Sequence, residues 1–146
     1  MKNVYLAAPF FSDEQVARVE SIEKALAQNP SIGEVFSPRK NQLEQFEYGS
    51  PKWASEVFKH DISKIDWCDI VVAIVDFTDD NVDSGTAFEL GYAYQAQKPI
   101  IIFHEKDTIL NIMVSESLTS HLTTPNQVED YNFNELTKIP YVGKVI

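Results

Sequence analysis

The chain has 146 residues, and its 12 lysine and arginine residues against 22 aspartate and glutamate residues give a formal net charge of -10. This length predicts a single domain over residues 1–146, and the charge argues against binding to nucleic acid or to an anionic membrane surface. The single cysteine, Cys68, excludes an internal disulfide and a cysteine-based zinc site. Because no apolar stretch approaches membrane-spanning length, we expect a cytoplasmic protein.

Strand and helix patterns alternate along the chain. The first helix opens with the residues SDEQ, a capping pattern of the S-x-x-Q kind. The run DIVVAIVD is apolar and β-branched, which is typical of a central strand covered on both faces. The polar stretch 39–51 is longer than a routine connection and is a candidate functional loop. In chain order, the predicted elements are a strand (3–8), a helix (12–28), a strand (34–38), a helix (52–66), a strand (69–76), a helix from Asp83 or Ser84, a strand (99–104), a short helix (110–117), an edge strand (119–122) and a tail.

Strands separated by helices predict right-handed crossovers and an α/β fold with a doubly wound parallel sheet. Five strands fit the flavodoxin-like order 2-1-3-4-5. Ligands of such sheets bind beyond the carboxyl ends of the strands, where the order reverses between strands one and three. We therefore expect the residues after Ala7 and after Asp76 to border the functional site.

The stretch DSGTAFELGYA, at 83–93, places Glu89 between two large apolar residues of a helix. At helical spacing Glu89 shares a face with Thr86 and Ala93 and lies close to Gly85, all small residues that let a ligand approach. A solvated helix glutamate is the alternative, because glutamate is seldom fully buried. The pattern nevertheless indicates an ionised carboxylate that faces a ligand pocket, which makes Glu89 a candidate nucleophile.

Four motifs in this order resemble those of the nucleoside 2-deoxyribosyltransferases, over nearly the whole chain. They are VYLAAPFFSDEQ near the start, FKHDISKID before the central strand, DSGTAFELGYA, and NIM at 111–113. In that family a glutamate attacks the anomeric carbon of a 2'-deoxynucleoside, and a second base then takes the sugar from the covalent intermediate. The resemblance implies a salvage enzyme that acts on 2'-deoxynucleosides and free nucleobases, and it leaves open whether the bases include pyrimidines as well as purines.

The resemblance assigns three catalytic side chains. Glu89 corresponds to the nucleophile, which suits an oxocarbenium-like transition state because a carboxylate stabilises that charge and can bond to the carbon. Asp61 corresponds to the donor and acceptor of the base proton, although by sequence alone it would be a solvated helix residue. Tyr5 corresponds to a tyrosine that orients the nucleophile, although by itself it would be a core residue of the first strand.

The resemblance also implies a sugar site shared between subunits. Asp83 corresponds to an acid that holds a sugar hydroxyl, and on its own it would be a helix N-cap. Asn111 corresponds to an asparagine from a neighbouring subunit, and the chain-terminal carboxylate, here that of Ile146, takes part as well. The family commonly ends in an aromatic residue, so Ile146 departs from its pattern. A homo-oligomer is therefore expected, by resemblance a hexamer.

Three further residues, Phe10, Gln42 and Trp53, align with base-pocket positions of the family. The two aromatic side chains offer flat faces for stacking, and Gln42 offers both a donor and an acceptor to a base edge. The family loop around Gln42 varies in length. These residues are the expected base contacts.

Two other functions remain open. A receiver-like or flavodoxin-like binding module shares the expected fold, and Asp76 ends the central strand as a phospho-accepting aspartate does, but the other residues of those sites are missing. A 2'-deoxynucleoside 5'-monophosphate N-glycosidase uses a similar glutamate, yet Asp83 would repel the phosphate of its substrate.

The three histidines lack metal-ligand spacing and no dinucleotide glycine fingerprint occurs, so no metal and no cofactor is expected.

Overall fold

The computed structural model describes residues 1–146, in which five strands alternate with five α-helices. None of the helices combines the length and the apolarity needed to cross a membrane. In chain order the elements are β1 (Lys2–Ala7), α1 (Asp13–Gln28), β2 (Ile32–Phe36), a 3-10 turn (Pro38–Lys40), α2 (Pro51–Trp67), β3 (Ile70–Ile74), α3 (Ser84–Gln95), β4 (Ile100–Phe103), α4 (Ile112–Ser115), β5 (Ser120–Leu122) and α5 (Pro125–Asp130).

The five strands form one parallel sheet of order β2-β1-β3-β4-β5, which confirms the predicted doubly wound topology. In the central pair, Val4 lies opposite Ile70 and Ala7 lies opposite Ala73. Every residue of β3 and β4 is buried because helices cover both faces of the sheet, which explains their continuous apolar sequences. The strand order reverses between β1 and β3, and the loops after these two strands meet, with the ring centroids of Phe11 and Phe77 6.4 Å apart.

Alternate residues of the central strands face two separate apolar layers. Val4 and Leu6 of β1 belong to the layer formed with α1 and α5, whereas Tyr5 and Ala7 belong to the layer formed with α2 and α3. This alternation follows from the two-residue period of a strand. It directs the Tyr5 side chain toward the two helices that carry the predicted catalytic acids.

One helix, α5, is absent from the sequence prediction. Its six residues show no clear apolar periodicity, and its position depends on Asn29 at the end of α1. The side-chain amide of Asn29 donates hydrogen bonds to the carbonyls of Val128 and Tyr131, at 2.9 and 2.7 Å. These partners are about a hundred residues apart in sequence, so no local pattern could report them.

The long loop expected at 39–51 is fastened at its start by a buried carboxylate of α1, that of Glu23. Ser37 Oγ donates to Glu23 Oε1 at 2.7 Å, and Arg39 Nη2 donates to Glu23 Oε2 at 2.5 Å. Burial opposes the ionisation of Glu23, but these hydrogen bonds and charges lower its pKa. The loop therefore leaves the sheet at a defined point, while Gln42 and Tyr48 beyond it are exposed.

Candidate active site

A groove of about 380 Å³ lies between α2 and α3, on the side of the sheet that carries Tyr5. Two carboxylates line it, Asp61 from α2 and Glu89 from α3. Most of the remaining lining is apolar and includes Trp53, Phe58, Ile62 and Phe88. We call this the carboxylate groove.

Tyr5 holds the carboxylate of Glu89 from the sheet side of this groove. Its hydroxyl donates a hydrogen bond to Oε2 of Glu89, and its ring stacks on that of Phe36 with centroids 5.7 Å apart. Tyr5 is fully buried, and burial together with the charge of Glu89 raises the pKa of its hydroxyl. The hydroxyl therefore stays protonated and is a constant donor to the carboxylate.

Both carboxyl groups titrate near neutrality because they are desolvated. Burial raises the pKa of Asp61 to about 6. Burial also raises the pKa of Glu89 to about 7; the hydrogen bond from Tyr5 opposes this rise, and the charges of Asp61 and Asp83 add to it. Between these two values the pair holds about one proton. Because the pKa of Asp61 is the lower of the two, this proton lies on Glu89 in the major form, and the form with an ionised Glu89 and a protonated Asp61 is the minor one. This minor form provides a carboxylate for attack and a carboxylic acid for proton donation.

Asp83 is the N-cap of α3 and lies near enough to Glu89 for its charge to raise the pKa of that carboxyl. Its Oδ2 accepts hydrogen bonds from the backbone N–H of Thr86 at 3.0 Å and from the Thr86 hydroxyl at 3.1 Å. Its Oδ1 has no hydrogen-bond partner within the chain. Asp83 is therefore the N-cap expected from the sequence, and it also keeps one oxygen as an acceptor for a ligand.

A second and larger groove, of about 690 Å³, lies against the other face of α3. Ala87 and Gly91 line it, and they stand about 160° from Glu89 around the helix axis. Within one chain, α3 therefore separates Asn111 and Ile146, which line this groove, from the candidate nucleophile. We call it the apolar groove; its lining also includes Leu90, Tyr94 and Met113.

The chain end is bound to the segment that contains Asn111. The backbone N–H of Ile146 donates to the Leu110 carbonyl, and that of Ile112 donates to the Ile146 oxygen, both at 3.0 Å. The side-chain oxygen of Asn111 accepts from the N–H of Met113 at 2.9 Å and caps α4. Ile146 is thus held at the rim of the apolar groove.

The segment before the terminus packs on two histidines. The Tyr141 ring lies 5.9 Å from that of His104 and 4.9 Å from that of His121, and its hydroxyl donates to the Lys144 carbonyl at 2.7 Å. His104 Nδ1 and His121 Nε2 are 3.0 Å apart. Burial lowers the pKa of both histidines, and the neighbouring His104 lowers that of His121 further. The terminal segment therefore rests on a histidine pair that resists protonation.

The model of the nucleoside 2-deoxyribosyltransferase family matches residues 4–124. The chain belongs to the nucleoside 2-deoxyribosyltransferase family. It is 30% identical to the nucleoside deoxyribosyltransferase of Limosilactobacillus fermentum, over 94% of this chain and 90% of that protein. A solved 2-deoxyribosyltransferase from Bacillus psychrosaccharolyticus is 41% identical, with a TM-score of 0.87 over 96% of this chain and 99% of that one. A CMP N-glycosidase of Clostridium botulinum shares the fold at 22% identity, with a TM-score of 0.55 over 92% of this chain and 98% of that one.

Membership of the nucleoside 2-deoxyribosyltransferase family confirms the resemblance found in the four sequence motifs and the prediction of an enzyme of this type. The matched residues contain every predicted site residue except Ile146. The structure brings Tyr5, Asp61 and Glu89 together and places Asp83 beside them.

The three residues predicted to contact the base, Phe10, Gln42 and Trp53, lie in different parts of the structure. Trp53 lines the carboxylate groove. Phe10 packs at the margin of the apolar layer beside α1, and Gln42 is exposed with its amide donating to the Arg39 carbonyl at 3.1 Å. Neither Phe10 nor Gln42 lines the groove around Glu89. Their contacts with a base stay predictions.

Two aromatic side chains of the carboxylate groove are missing from the sequence prediction. Phe58 and Phe88 have ring centroids 5.9 Å apart, and they are 57% and 53% exposed. Large apolar side chains with this exposure, next to half-buried carboxyl groups, offer flat surfaces to a planar ligand. Their positions in the sequence could have predicted their place in the groove, because Phe88 directly precedes Glu89 and Phe58 lies one helical turn before Asp61.

Asp76, placed like a phospho-accepting aspartate, uses both of its carboxylate oxygens in hydrogen bonds with the backbone. It is buried, and its two oxygens accept from the N–H groups of Glu105 and Lys106, each at 2.8 Å. The side chain therefore fastens the loop after β4 to the end of β3.

No group of three or more His, Cys, Asp or Glu side chains is arranged to hold a metal ion.

Proposed function

We propose that this enzyme transfers 2-deoxyribose between nucleobases in nucleoside salvage, by two successive displacements at the anomeric carbon with Glu89 as the nucleophile. The observation that carries the proposal is the pair of carboxyl groups, Asp61 and Glu89, desolvated in one apolar groove with Glu89 held by the Tyr5 hydroxyl. Family membership supports the same chemistry.

In the first displacement, an oxygen of Glu89 forms a bond to C1' of the deoxyribose as the bond from C1' to the base nitrogen breaks. Asp61 donates its proton to the departing base, so the base leaves as a neutral molecule and Asp61 becomes a carboxylate. The negative charge of Glu89 stabilises the oxocarbenium-like transition state. The product is a covalent deoxyribosyl ester on Glu89.

In the second displacement, a free base attacks C1' from the face that the first base left. The ester bond to Glu89 breaks, and Asp61 takes the proton from the attacking nitrogen. Two inversions at C1' retain its configuration. The Tyr5 hydroxyl keeps Glu89 oriented throughout and stabilises the carboxylate that is released.

The active unit of the proposed enzyme is a homo-oligomer in which a neighbouring subunit completes each site. Asn111 and Ile146 lie on the apolar groove, across α3 from Glu89, so one chain does not bring them to its own nucleophile. The apolar groove also exposes Met113 to 77% and Ile146 to 74%, a kind of surface that usually marks contact with another protein. These observations support an assembly such as the hexamer implied by the resemblance.

The chief alternative is hydrolysis of a nucleoside 5'-monophosphate in the same groove. Such an enzyme must hold a phosphate dianion and direct water to C1'. The charge of Asp83 acts on Glu89, and the chain carries a net charge of -10, so a phosphate here would meet repulsion. The aromatic walls of the carboxylate groove favour a planar base over water as the second nucleophile. Base transfer is therefore the better-supported reaction.

A base-exchange assay tests the proposal. Incubation with thymidine or deoxyinosine plus free adenine should yield deoxyadenosine, detected by chromatography, and the two donors report pyrimidine and purine use separately. Parallel reactions without adenine, and with deoxyadenosine 5'-monophosphate as donor, measure hydrolysis and should be slow. Equal base release with and without adenine, with no exchanged nucleoside, would establish a glycosidase and overturn the proposal.

A further inference from the structure

The carboxylate of Asp83 is oriented by a neighbouring buried side chain, that of Thr86. Thr86 is 1% exposed, and its hydroxyl and its backbone N–H both donate to Oδ2 of Asp83, at 3.1 and 3.0 Å. Threonine hydroxyls inside helices commonly donate to the carbonyl four residues earlier. Here the hydroxyl instead reaches back to the side chain that begins the helix.

Gly85, between the two, leaves the room for this arrangement. A Cβ atom at position 85 would lie 3.2 Å from Oδ2 of Asp83, closer than ordinary van der Waals contact. Oδ2 therefore accepts two hydrogen bonds from Thr86 and lies close to the place that a side chain at position 85 would take. Oδ1, by contrast, has no partner within the chain.

We propose that Thr86 is a positioning residue that commits one oxygen of Asp83 to the helix and leaves the other for a sugar hydroxyl of the donor nucleoside. This inference rests on the proposed function, in which Asp83 holds that hydroxyl. Capping the helix requires only the bond from the backbone N–H. The bond from the Thr86 hydroxyl is additional, and it restrains the rotation of the carboxylate so that Oδ1 keeps one direction.

Substitution at position 86 separates the hydroxyl from the rest of the side chain. Thr86→Val keeps the volume and the β-branch but removes the donor, and kcat/KM for deoxyadenosine with a free acceptor base should fall about tenfold, as for one lost hydrogen bond to a charged group. Thr86→Ser keeps the hydroxyl and should recover most of this loss. Thr123→Val is the matched control, because it removes a similar bond, to Gln127 at 3.2 Å near the start of α5, and should leave kcat/KM unchanged.

The decisive measurement uses donors that lack one sugar hydroxyl, 2',3'-dideoxyadenosine and 2',5'-dideoxyadenosine. The loss caused by Thr86→Val should shrink below about twofold with the analogue that lacks the hydroxyl held by Asp83, and should persist with the other. Inhibition constants against deoxyadenosine give the same ratios where an analogue reacts slowly. An equal loss with all three donors, or no loss with deoxyadenosine, overturns the inference. Absence of any base exchange by the unchanged protein is the separate result that overturns the proposed function and this inference with it.

Discussion

The two faces of α3 differ in chemistry although they belong to one helix of 12 residues. The face toward α2 presents Glu89 beside Asp61, with the Tyr5 hydroxyl bonded to it. The opposite face presents Ala87, Leu90 and Tyr94 to the groove that also contains Asn111 and the chain end. The one charged residue of this helix, Glu89, therefore lies on the face where the Tyr5 hydroxyl and a second carboxyl group are close to it. The opposite face is apolar, and there we expect contact with another subunit.

Glu89→Ala should abolish transfer, with a loss of more than about a hundredfold, because loss of a nucleophile typically costs several orders of magnitude. Rates of deoxyadenosine formation from deoxyinosine and adenine measure the loss. Glu135→Ala, on an exposed part of the chain, serves as the control and should retain full activity. Mass spectrometry of the unchanged protein, given donor without acceptor, should find the deoxyribosyl adduct on the peptide with Glu89; an adduct elsewhere would refute the assignment.

Asn111→Ala should lower transfer by at least about tenfold if a neighbour's Asn111 holds the sugar. Asn111→Ser keeps a capping oxygen for α4 and should show a similar loss, which separates the sugar contact from the helix cap. Mixing Glu89→Ala subunits with Asn111→Ala subunits in equal amounts should restore about a quarter of the sites by random assembly. No recovery after verified subunit exchange, or a fully active monomer in sedimentation, would contradict the shared site.

The pH dependence of kcat/KM should be bell-shaped, with its maximum between the pKa values of about 6 for Asp61 and about 7 for Glu89. Below this range both groups are protonated and no nucleophile is available. Above it both are ionised and the departing base receives no proton. Asp61→Asn leaves Glu89 as the one titrating carboxyl of the pair, so the lower remaining activity should rise with pH and level off. A flat profile of the unchanged protein from about pH 5 to about pH 8 would show that this pair does not control the reaction.

Glu89→Gln should raise the thermal midpoint of unfolding at pH 8 by a few degrees. The pKa of Glu89 is about 7 in the fold, above the value of 4.5 for an unperturbed glutamate, so the folded state binds more protons between these values. Stability from this group is complete below about pH 4.5 and is lost as the pH rises through 7. The variant and the unchanged protein should therefore melt alike at about pH 4 and diverge at about pH 8. A variant that is less stable at pH 8 would contradict the cost of burying this charge.

The pair of His104 and His121, which packs against Tyr141, should make stability depend on pH in the opposite direction to Glu89, with a smaller change in the thermal midpoint. Burial lowers the pKa of His104 and His121 below 6.5, and the charge of Asp76 opposes part of this decrease. The unfolded chain therefore binds more protons than the folded protein as the pH falls. Stability from this pair is complete above about pH 6.5 and is lost below it. His121→Gln should reduce the acid-side decline in the thermal midpoint on the order of 1 °C, measured in a pH series. An unchanged slope would show that the pair titrates as it does in the unfolded chain.

The sequence by itself determined the order of the five strands and of the first four helices, and the identity of the chemical groups. β-Branched runs such as DIVVAIVD report a buried strand because burial on both faces leaves no polar alternation. The placement of Glu89 among small residues, and the four ordered motifs, indicated the family that the comparisons confirm. The apolar runs and the surroundings of Glu89 are readable because they depend on neighbours within one strand or one turn. The family motifs are readable because their residues and their order are present in the chain itself.

Only the tertiary structure decided the contacts that these groups make and the environment in which they meet. The hydrogen bond from Tyr5 to Glu89 spans 84 residues of sequence, and the rise of the Glu89 pKa to about 7 depends on burial between packed elements. The separation of Asn111 and Ile146 from Glu89 by α3 likewise follows from helix packing. Desolvation and long-range contacts are properties of the packed layers, and a local sequence pattern carries no record of either.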